Sequence, residues 1–189
     1  MSKKILVVID VQNDFVDGSL RNEEAIKRIP NIVKKIREFN GDAILVTQDT
    51  HEKDYLSTKE GKKLPVEHCI RGTEGWKIND NVMAALTDAQ LRNINVTYIP
   101  KPTFGSLDLS TVLMKELRDL DWENYATSMI EFVGFCTDIC VVSNVLITKA
   151  NFYDTNVVVD ASCCAGVTPE THKAALDTMK MCQIDIVNE

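Results

Sequence analysis

Short apolar runs rich in valine and isoleucine alternate with amphipathic stretches along most of the chain. The runs show little alternation of apolar and polar positions, which is typical of strands buried on both faces. Six runs predict strands, at Lys4–Asp10, Asp42–Gln48, Ile94–Pro100, Ser128–Phe135, Thr155–Asp160 and Gln183–Val187. Helical patterns occur at Glu23–Asn40, Asn79–Leu86, Leu107–Leu120, Thr137–Asn151 and Pro169–Met181. This order predicts an α/β fold, a three-layer sandwich with a mostly parallel six-stranded sheet covered by helices on both faces.

Length and composition narrow the class of protein. The chain has 189 residues, of which 44% are hydrophobic and 26% charged, and we expect one domain over residues 1–189. The net charge of -7 argues against a nucleic-acid partner. No run approaches the roughly 20 apolar residues of a membrane span. The first run ends at Asp10 without a cleavage site for a signal peptide, so we expect a cytoplasmic protein with no membrane partner.

The six cysteines are spread along a chain that is large enough to fold without disulfide bonds. Because no export signal is present either, we expect reduced thiols.

Polar residues follow several of the predicted strands, where an open parallel sheet binds its ligands. These residues are Asp10, Asp49, His51, Lys101, Cys136 and Cys140. No G-x-G-x-x-G or Walker pattern follows the first strand, which argues against the familiar nucleotide-binding folds.

Cys136 and Cys140 lie at the predicted start of a helix. The unpaired N–H groups and the dipole of a helix start lower the pKa of a thiol, so one cysteine is a candidate nucleophile. Asp10 is then a candidate base, with Lys101 as its partner. Three alternatives stay open: cysteines packed in the core, a redox pair, and a structural salt bridge between the acid and the lysine.

Asp49, His51 and His68 combine one carboxylate with two imidazoles, a set that suits a metal ion. A hydrogen-bonded loop cluster without metal is the alternative. The third histidine, His172, falls in a late helix and is expected at the surface.

Five segments together resemble a known family. "ILVVIDVQNDFVDGSL", "KPTFGSLDL" and "VGFCTDICVVSNVL" resemble the isochorismatase-like cysteine hydrolases. "VTQDTHEKDY" and "LPVEHCIRGTEGW" are similar to the nicotinamidase/pyrazinamidase branch. The resemblance runs from about Lys4 to the last strand, and the five segments occur in the family's order.

The resemblance implies roles for particular residues. It implies a catalytic triad of Asp10, Lys101 and Cys140, with Cys140 as the nucleophile. The backbone N–H groups of Cys136 and Cys140 would form the oxyanion hole, after a cis peptide bond between Phe135 and Cys136.

The same resemblance implies a divalent metal held by Asp49, His51 and His68, with Glu60 as a weaker fourth ligand. Zinc is the first expectation, and manganese or iron are alternatives. Phe15 is a candidate for the substrate pocket, and two further candidates are Phe104 and Trp76.

The implied activity is the deamidation of nicotinamide to nicotinate and ammonia through a cysteine thioester, with the metal holding the pyridine nitrogen. A related hydrolase of another small amide or ureido compound is the first alternative. A noncatalytic metal- or ligand-binding module and a thiol redox protein are two others. Because family members are commonly oligomers, a homo-oligomer is expected.

Overall fold

The computed structural model describes residues 1–189. At its centre lies a six-stranded sheet with the strand order β3-β2-β1-β4-β5-β6. Every pairing is parallel, so the predicted α/β fold is confirmed. The strands are β1 (Lys4–Ile9), β2 (Ala43–Asp49), β3 (Asn95–Lys101), β4 (Met129–Phe135), β5 (Asn156–Ala165) and β6 (Asp185–Val187).

Seven α-helices connect or flank the strands. They are α1 (Asn13–Val16), α2 (Glu23–Glu38), α3 (Asp80–Leu91), α4 (Leu107–Leu117), α5 (Trp122–Thr127), α6 (Val142–Asn151) and α7 (Pro169–Met181). The short helices α1 and α5 were not predicted. The helix expected from Thr137 begins instead with a single π-helical turn over Thr137–Val141, which we name the cysteine turn.

The four central strands β1, β2, β4 and β5 are buried on both faces, which explains the lack of alternation in them. In β1, Ile5 and Val7 join a cluster of 22 buried residues that includes side chains of α4, α6 and α7. Leu6 and Val8 point the other way, into a cluster of 21 that includes side chains of α2 and α3. Each fully buried aliphatic side chain stabilises the fold by about 1.5–3 kcal/mol.

The order of the strands locates the place where ligands bind. The chain moves from β1 through β2 to β3 on one side, and then from β4 through β5 to β6 on the other. The connections that follow the neighbouring strands β1 and β4 therefore run towards opposite edges of the sheet. The crevice between them, at this switch point, is where open α/β sheets bind ligands.

The cysteines and the helices can also be compared with what the sequence led us to expect. All six cysteines are free thiols, as expected from the sequence. None of the helices combines the length and the apolar character that crossing a membrane requires.

Gly134 allows β4 to approach β1 closely at the switch point. Its backbone takes the left-handed region with a φ of +121°. A Cβ atom at this position would lie 2.1 Å from the carbonyl oxygen of Ile9. Only glycine fits here without displacing the strand that leads into the cysteine turn.

We predict that Gly134→Ala lowers the free energy of unfolding by about 3 kcal/mol or more, because the methyl group meets backbone and the φ is unfavourable. Gly72→Ala is the matched control. Gly72 also has a positive φ, of +81°, but nothing lies within 4 Å of its added Cβ, so a cost of about 1–2 kcal/mol is expected. Urea denaturation measures both, and equal losses would contradict the close approach.

Candidate active site

A buried ion pair joins the ends of β1 and β3. Lys101 Nζ lies 2.6 Å from Asp10 Oδ2, and the two side chains are 1% and 0% exposed. The Thr47 hydroxyl donates to the other carboxylate oxygen of Asp10 at 2.7 Å. Asp10 itself takes a φ of +48°, an unusual conformation for a non-glycine residue. The acid and the lysine that the sequence singled out therefore meet.

Cys140 lies beside this pair. Its sulfur is 3.5 Å from Lys101 Nζ, the same atom that pairs with the carboxylate of Asp10. The three predicted catalytic residues thus come together, although they are far apart in sequence. Such a constellation places a candidate base and a positive charge beside a thiol, which is one way to activate a cysteine nucleophile.

The expectation of a lowered pKa for this thiol is wrong. Burial raises the pKa of Cys140 well above its usual value, and the Asp10 carboxylate raises it further, whereas Lys101 acts in the opposite direction. Burial also raises the pKa of Asp10, against the lowering effect of Lys101. Burial removes water from around the sulfur, and this loss disfavours the charged thiolate. The resting thiol is therefore protonated and needs a base.

The cysteine turn follows the end of β4 directly. The peptide bond between Phe135 and Cys136 is cis, as predicted. The carbonyl of Cys136 accepts hydrogen bonds from the N–H groups of Ile139 at 3.1 Å and Val141 at 3.0 Å. Burial raises the pKa of Cys136 to about 12, so its thiol is neutral, which argues against a redox pair.

Asn144 ties the cysteine turn to the loop after Lys101. Its side-chain N–H groups donate to the carbonyl of Cys140 at 2.7 Å and to that of Phe104 at 3.0 Å. Its oxygen accepts from the N–H of Ser106 at 2.9 Å. Asn144 was not predicted from the sequence, although an asparagine one turn after a candidate nucleophile is a usable signal.

The candidate metal ligands also converge. Asp49 Oδ2 lies 3.1 Å from His51 Nε2 and 3.4 Å from His68 Nε2. Glu60 Oε1 lies 3.6 Å from the former nitrogen and 3.9 Å from the latter. Asp49, His51 and His68 are buried, whereas the Glu60 side chain is 23% exposed. The weaker candidate is thus at the open side of the cluster.

Backbone pairing explains why residues 51 and 68 meet. After β2 the chain forms a parallel bridge between His51 and Ile70, which brings the second histidine back to the first. The Nδ1 atom of His68 lies 2.8 Å from the carbonyl of Val66. Since a carbonyl only accepts, Nδ1 is the donor in this contact, and Nε2 is the ring nitrogen that faces the cluster. Two imidazole nitrogens and two carboxylates in this arrangement fit a divalent metal ion.

Two neighbours of this cluster were not predicted. Gln12 donates to the carbonyls of Asp49 and Trp76, both at 2.8 Å, and accepts from the N–H of Asp49 at 2.7 Å. Tyr55 is completely buried, and its ring centroid lies 4.6 Å from that of His51 and 4.9 Å from that of His68. Gln12 thus fixes the backbone of Asp49, and Tyr55 packs against both candidate imidazole ligands.

A cavity of about 820 Å³ reaches both the candidate nucleophile and part of the candidate metal cluster. Cys140, Asp49 and His68 line it, and so do two of the predicted pocket aromatics, Phe15 and Phe104. A ligand in this cavity therefore touches the thiol and the metal cluster at once.

Trp76 is not among the residues that line this cavity. Its indole N–H donates to the hydroxyl of Thr50 at 2.9 Å, and its carbonyl accepts from Gln12. The role of Trp76 in the substrate pocket therefore stays a prediction, and the contacts of this residue in the structure are with Thr50 and Gln12.

Nearly the whole chain matches the model of one protein family. A family model described as "Isochorismatase domain" matches residues 4–188. The chain belongs to the isochorismatase family. The family resemblance of the five sequence segments is thereby confirmed.

Three relatives illustrate the range of the family. A nicotinamidase of Saccharomyces cerevisiae is 23% identical, over 98% of this chain and 100% of the relative. A nicotinamidase/pyrazinamidase of Bacillus subtilis has a crystal structure with a TM-score of 0.82, at 27% identity, and 98% of this chain and 100% of that one are covered. A pyrazinamidase of Pyrococcus horikoshii, crystallised in complex with zinc, has a TM-score of 0.74 at 23% identity, with 99% of each chain covered.

The cluster of candidate metal ligands can be tested by measuring metal binding. We expect one divalent ion per chain in a zinc titration followed by native mass spectrometry. His68→Ala, which removes an inward-facing nitrogen, should weaken binding by more than about 100-fold, and Glu60→Gln by about 10-fold. Glu67→Gln is the control, since Glu67 neighbours His68 but is exposed. Wild-type affinity in His68→Ala would contradict the assignment.

Proposed function

We propose that this protein hydrolyses the carboxamide of nicotinamide or pyrazinamide to the carboxylic acid and ammonia. Membership of the isochorismatase family and the nicotinamidase relatives support an amide-hydrolysing enzyme. The observation that carries the proposal is the position of the Cys140 sulfur, 3.5 Å from Lys101 and facing the cavity that also reaches the metal cluster. In this proposal residues 1–189 act as one domain.

The reaction begins with the thiol proton of Cys140, which the carboxylate of Asp10 accepts. The thiolate then attacks the carboxamide carbon, and the carbonyl oxygen becomes an oxyanion. Backbone N–H groups of Cys136 and Cys140 are the proposed donors to this oxyanion. Lys101 keeps its charge throughout, because Asp10 and Cys140 beside it hold its pKa above the usual value despite burial. Its charge offsets the negative charge that moves between Asp10 and Cys140.

Collapse of the tetrahedral intermediate breaks the carbon–nitrogen bond. Asp10 returns its proton to the departing nitrogen, which leaves as ammonia, and the acyl group stays on Cys140 as a thioester. Asp10 then takes a proton from water, whose oxygen attacks the thioester carbon. The carbon–sulfur bond breaks, the sulfur regains the proton, and the acid is released. One water is consumed for each ammonia formed.

The metal site gives the substrate its orientation in this proposal. Asp49, His51, His68 and Glu60 would hold a divalent ion, and zinc is the proposed metal because a pyrazinamidase relative was crystallised with it. A bound metal ion supplies Lewis acidity towards the ring nitrogen of a pyridine or pyrazine. Phe15 lies beside His68, with ring centroids 5.8 Å apart, and would pack against such a ring.

A second candidate is a related hydrolase that acts on a larger amide or ureido compound. The cavity of about 820 Å³ exceeds the size of a single aromatic ring, and Arg21, Asn22 and Glu23 add polar groups to its lining. A substituent on the ring would find hydrogen-bonding partners there. A noncatalytic binding module is the weaker alternative, because the buried acid, lysine and thiol meet in one place. The cytoplasmic location and the self-association stay predictions.

Replacement of the nucleophile tests the proposal. Cys140→Ala should lower ammonia release from nicotinamide by at least about 1,000-fold, because no covalent intermediate can form. Cys136→Ala keeps its backbone N–H, so a loss of less than about tenfold is expected. An ammonia assay measures both rates, and thermal unfolding checks that each variant is folded.

Cys182→Ala is the control, since Cys182 is the exposed thiol and should leave the rate unchanged. Substantial activity in Cys140→Ala would remove this residue from its role. A wild-type enzyme that is inactive on nicotinamide and pyrazinamide but active on a ureido compound would favour the second candidate.

A further inference from the structure

We propose that His172 is a positioning residue for the Cys140 thiol, acting through Thr137. His172 touches neither the thiol nor the metal cluster and lies in the first turn of α7. The inference rests on the proposed function only in taking Cys140 as the nucleophile.

The contact on which the inference rests joins the first residue of the cysteine turn to the first turn of α7. Thr137 is completely buried, and its hydroxyl oxygen lies 2.8 Å from His172 Nδ1. His172 is the only hydrogen-bond partner of this hydroxyl. Because a buried hydroxyl without a partner costs about 1–3 kcal/mol, the imidazole holds Thr137 in place. His172 is therefore half-buried at a contact, not at the surface as expected from the sequence.

Thr137 is the first residue of the cysteine turn, which has no side-chain cap. Its carbonyl accepts a hydrogen bond from the N–H of Val142 at the end of the turn. Cys140 lies inside the span that this hydrogen bond closes. A displacement of Thr137 is thus passed on to the sulfur through a few covalent bonds and one hydrogen bond.

A second contact joins the same two parts of the chain. The carboxylate of Asp138 accepts from the N–H of Val167 at 3.1 and 3.2 Å. Gly166, just before Val167, lies so close to α7 that an added Cβ would be 2.8 Å from the N of His172. The loop between β5 and α7 and the start of α7 therefore hold two successive residues of the cysteine turn.

The imidazole is suited to accept the hydrogen bond of Thr137. Burial lowers the pKa of His172, and the guanidinium of Arg28 lowers it further. The neutral ring is therefore the form present near pH 7. With its proton on Nε2, the ring offers the Nδ1 lone pair to the threonine hydroxyl.

The reaction depends on the placement that this contact provides. Attack requires the sulfur close to the carboxamide carbon and in line with the base, and a displacement of about 1 Å costs on the order of 100-fold in rate. Loss of a remote contact allows a smaller displacement, for which we expect a change of about tenfold in the rate of the chemical step.

The test compares variants that keep the contact with variants that lose it. His172→Gln and Thr137→Val should each lower kcat about tenfold and leave KM within about twofold. His172→Asn places an oxygen near the position of Nδ1, and Thr137→Ser keeps the hydroxyl, so both should retain most of the wild-type rate. Alkylation of Cys140 by iodoacetamide, followed by peptide mass spectrometry, should slow by a similar factor in the first pair only.

Two further variants distinguish a positioning role of His172 from a general loss of stability. The double variant Thr137→Val/His172→Gln should be no slower than the slower single variant, because both changes break one contact. Lys173→Ala, an exposed neighbour on α7, is the control with wild-type rates. Equal behaviour of His172→Asn and His172→Gln in folded protein, or additive losses in the double variant, would overturn the proposal. The alkylation arm decides it even if the enzyme proves inactive on nicotinamide.

Discussion

The ion pair between Asp10 and Lys101 is the constraint on which the site depends. Both side chains are removed from water, and either charge alone would cost several kcal/mol in this position. Strand β2 lies between β1 and β3, so the pair reaches across the end of that strand. Asp49 at this end lies 3.7 Å from Lys101 through its Oδ1 atom. One lysine therefore links the candidate base, the thiol and the first candidate ligand of the metal cluster.

The sheet and its main helices follow from the sequence because burial on both faces leaves a plain signature. Helix α7 has the predicted bounds, since Pro169 starts it and Thr168 caps it. Helix α5 was missed because its six residues bury no side chain and so show no apolar stripe. The π-helical form of the cysteine turn was also missed, because its hydrogen bonds depend on packing against α7.

The identities of the candidate site residues were predictable for a different reason. Parallel strands all end at one edge, so chemically active residues that follow them must be neighbours. Direction and environment were less predictable. Trp76 turns towards Thr50 and not into the cavity, and the raised pKa of Cys140 follows from burial that a local argument does not see. Gln12 and Tyr55 look like ordinary core residues until the cluster that they support is known.

The candidate site combines two kinds of structure. Asp10, Asp49 and Lys101 stand at strand ends and Cys140 in the cysteine turn, whereas His51, Glu60 and His68 lie in the connection between β2 and α3. An insertion or deletion in this connection can therefore change which ligand the site prefers, in evolution or by design. Such a change leaves Asp10, Lys101 and Cys140 in place.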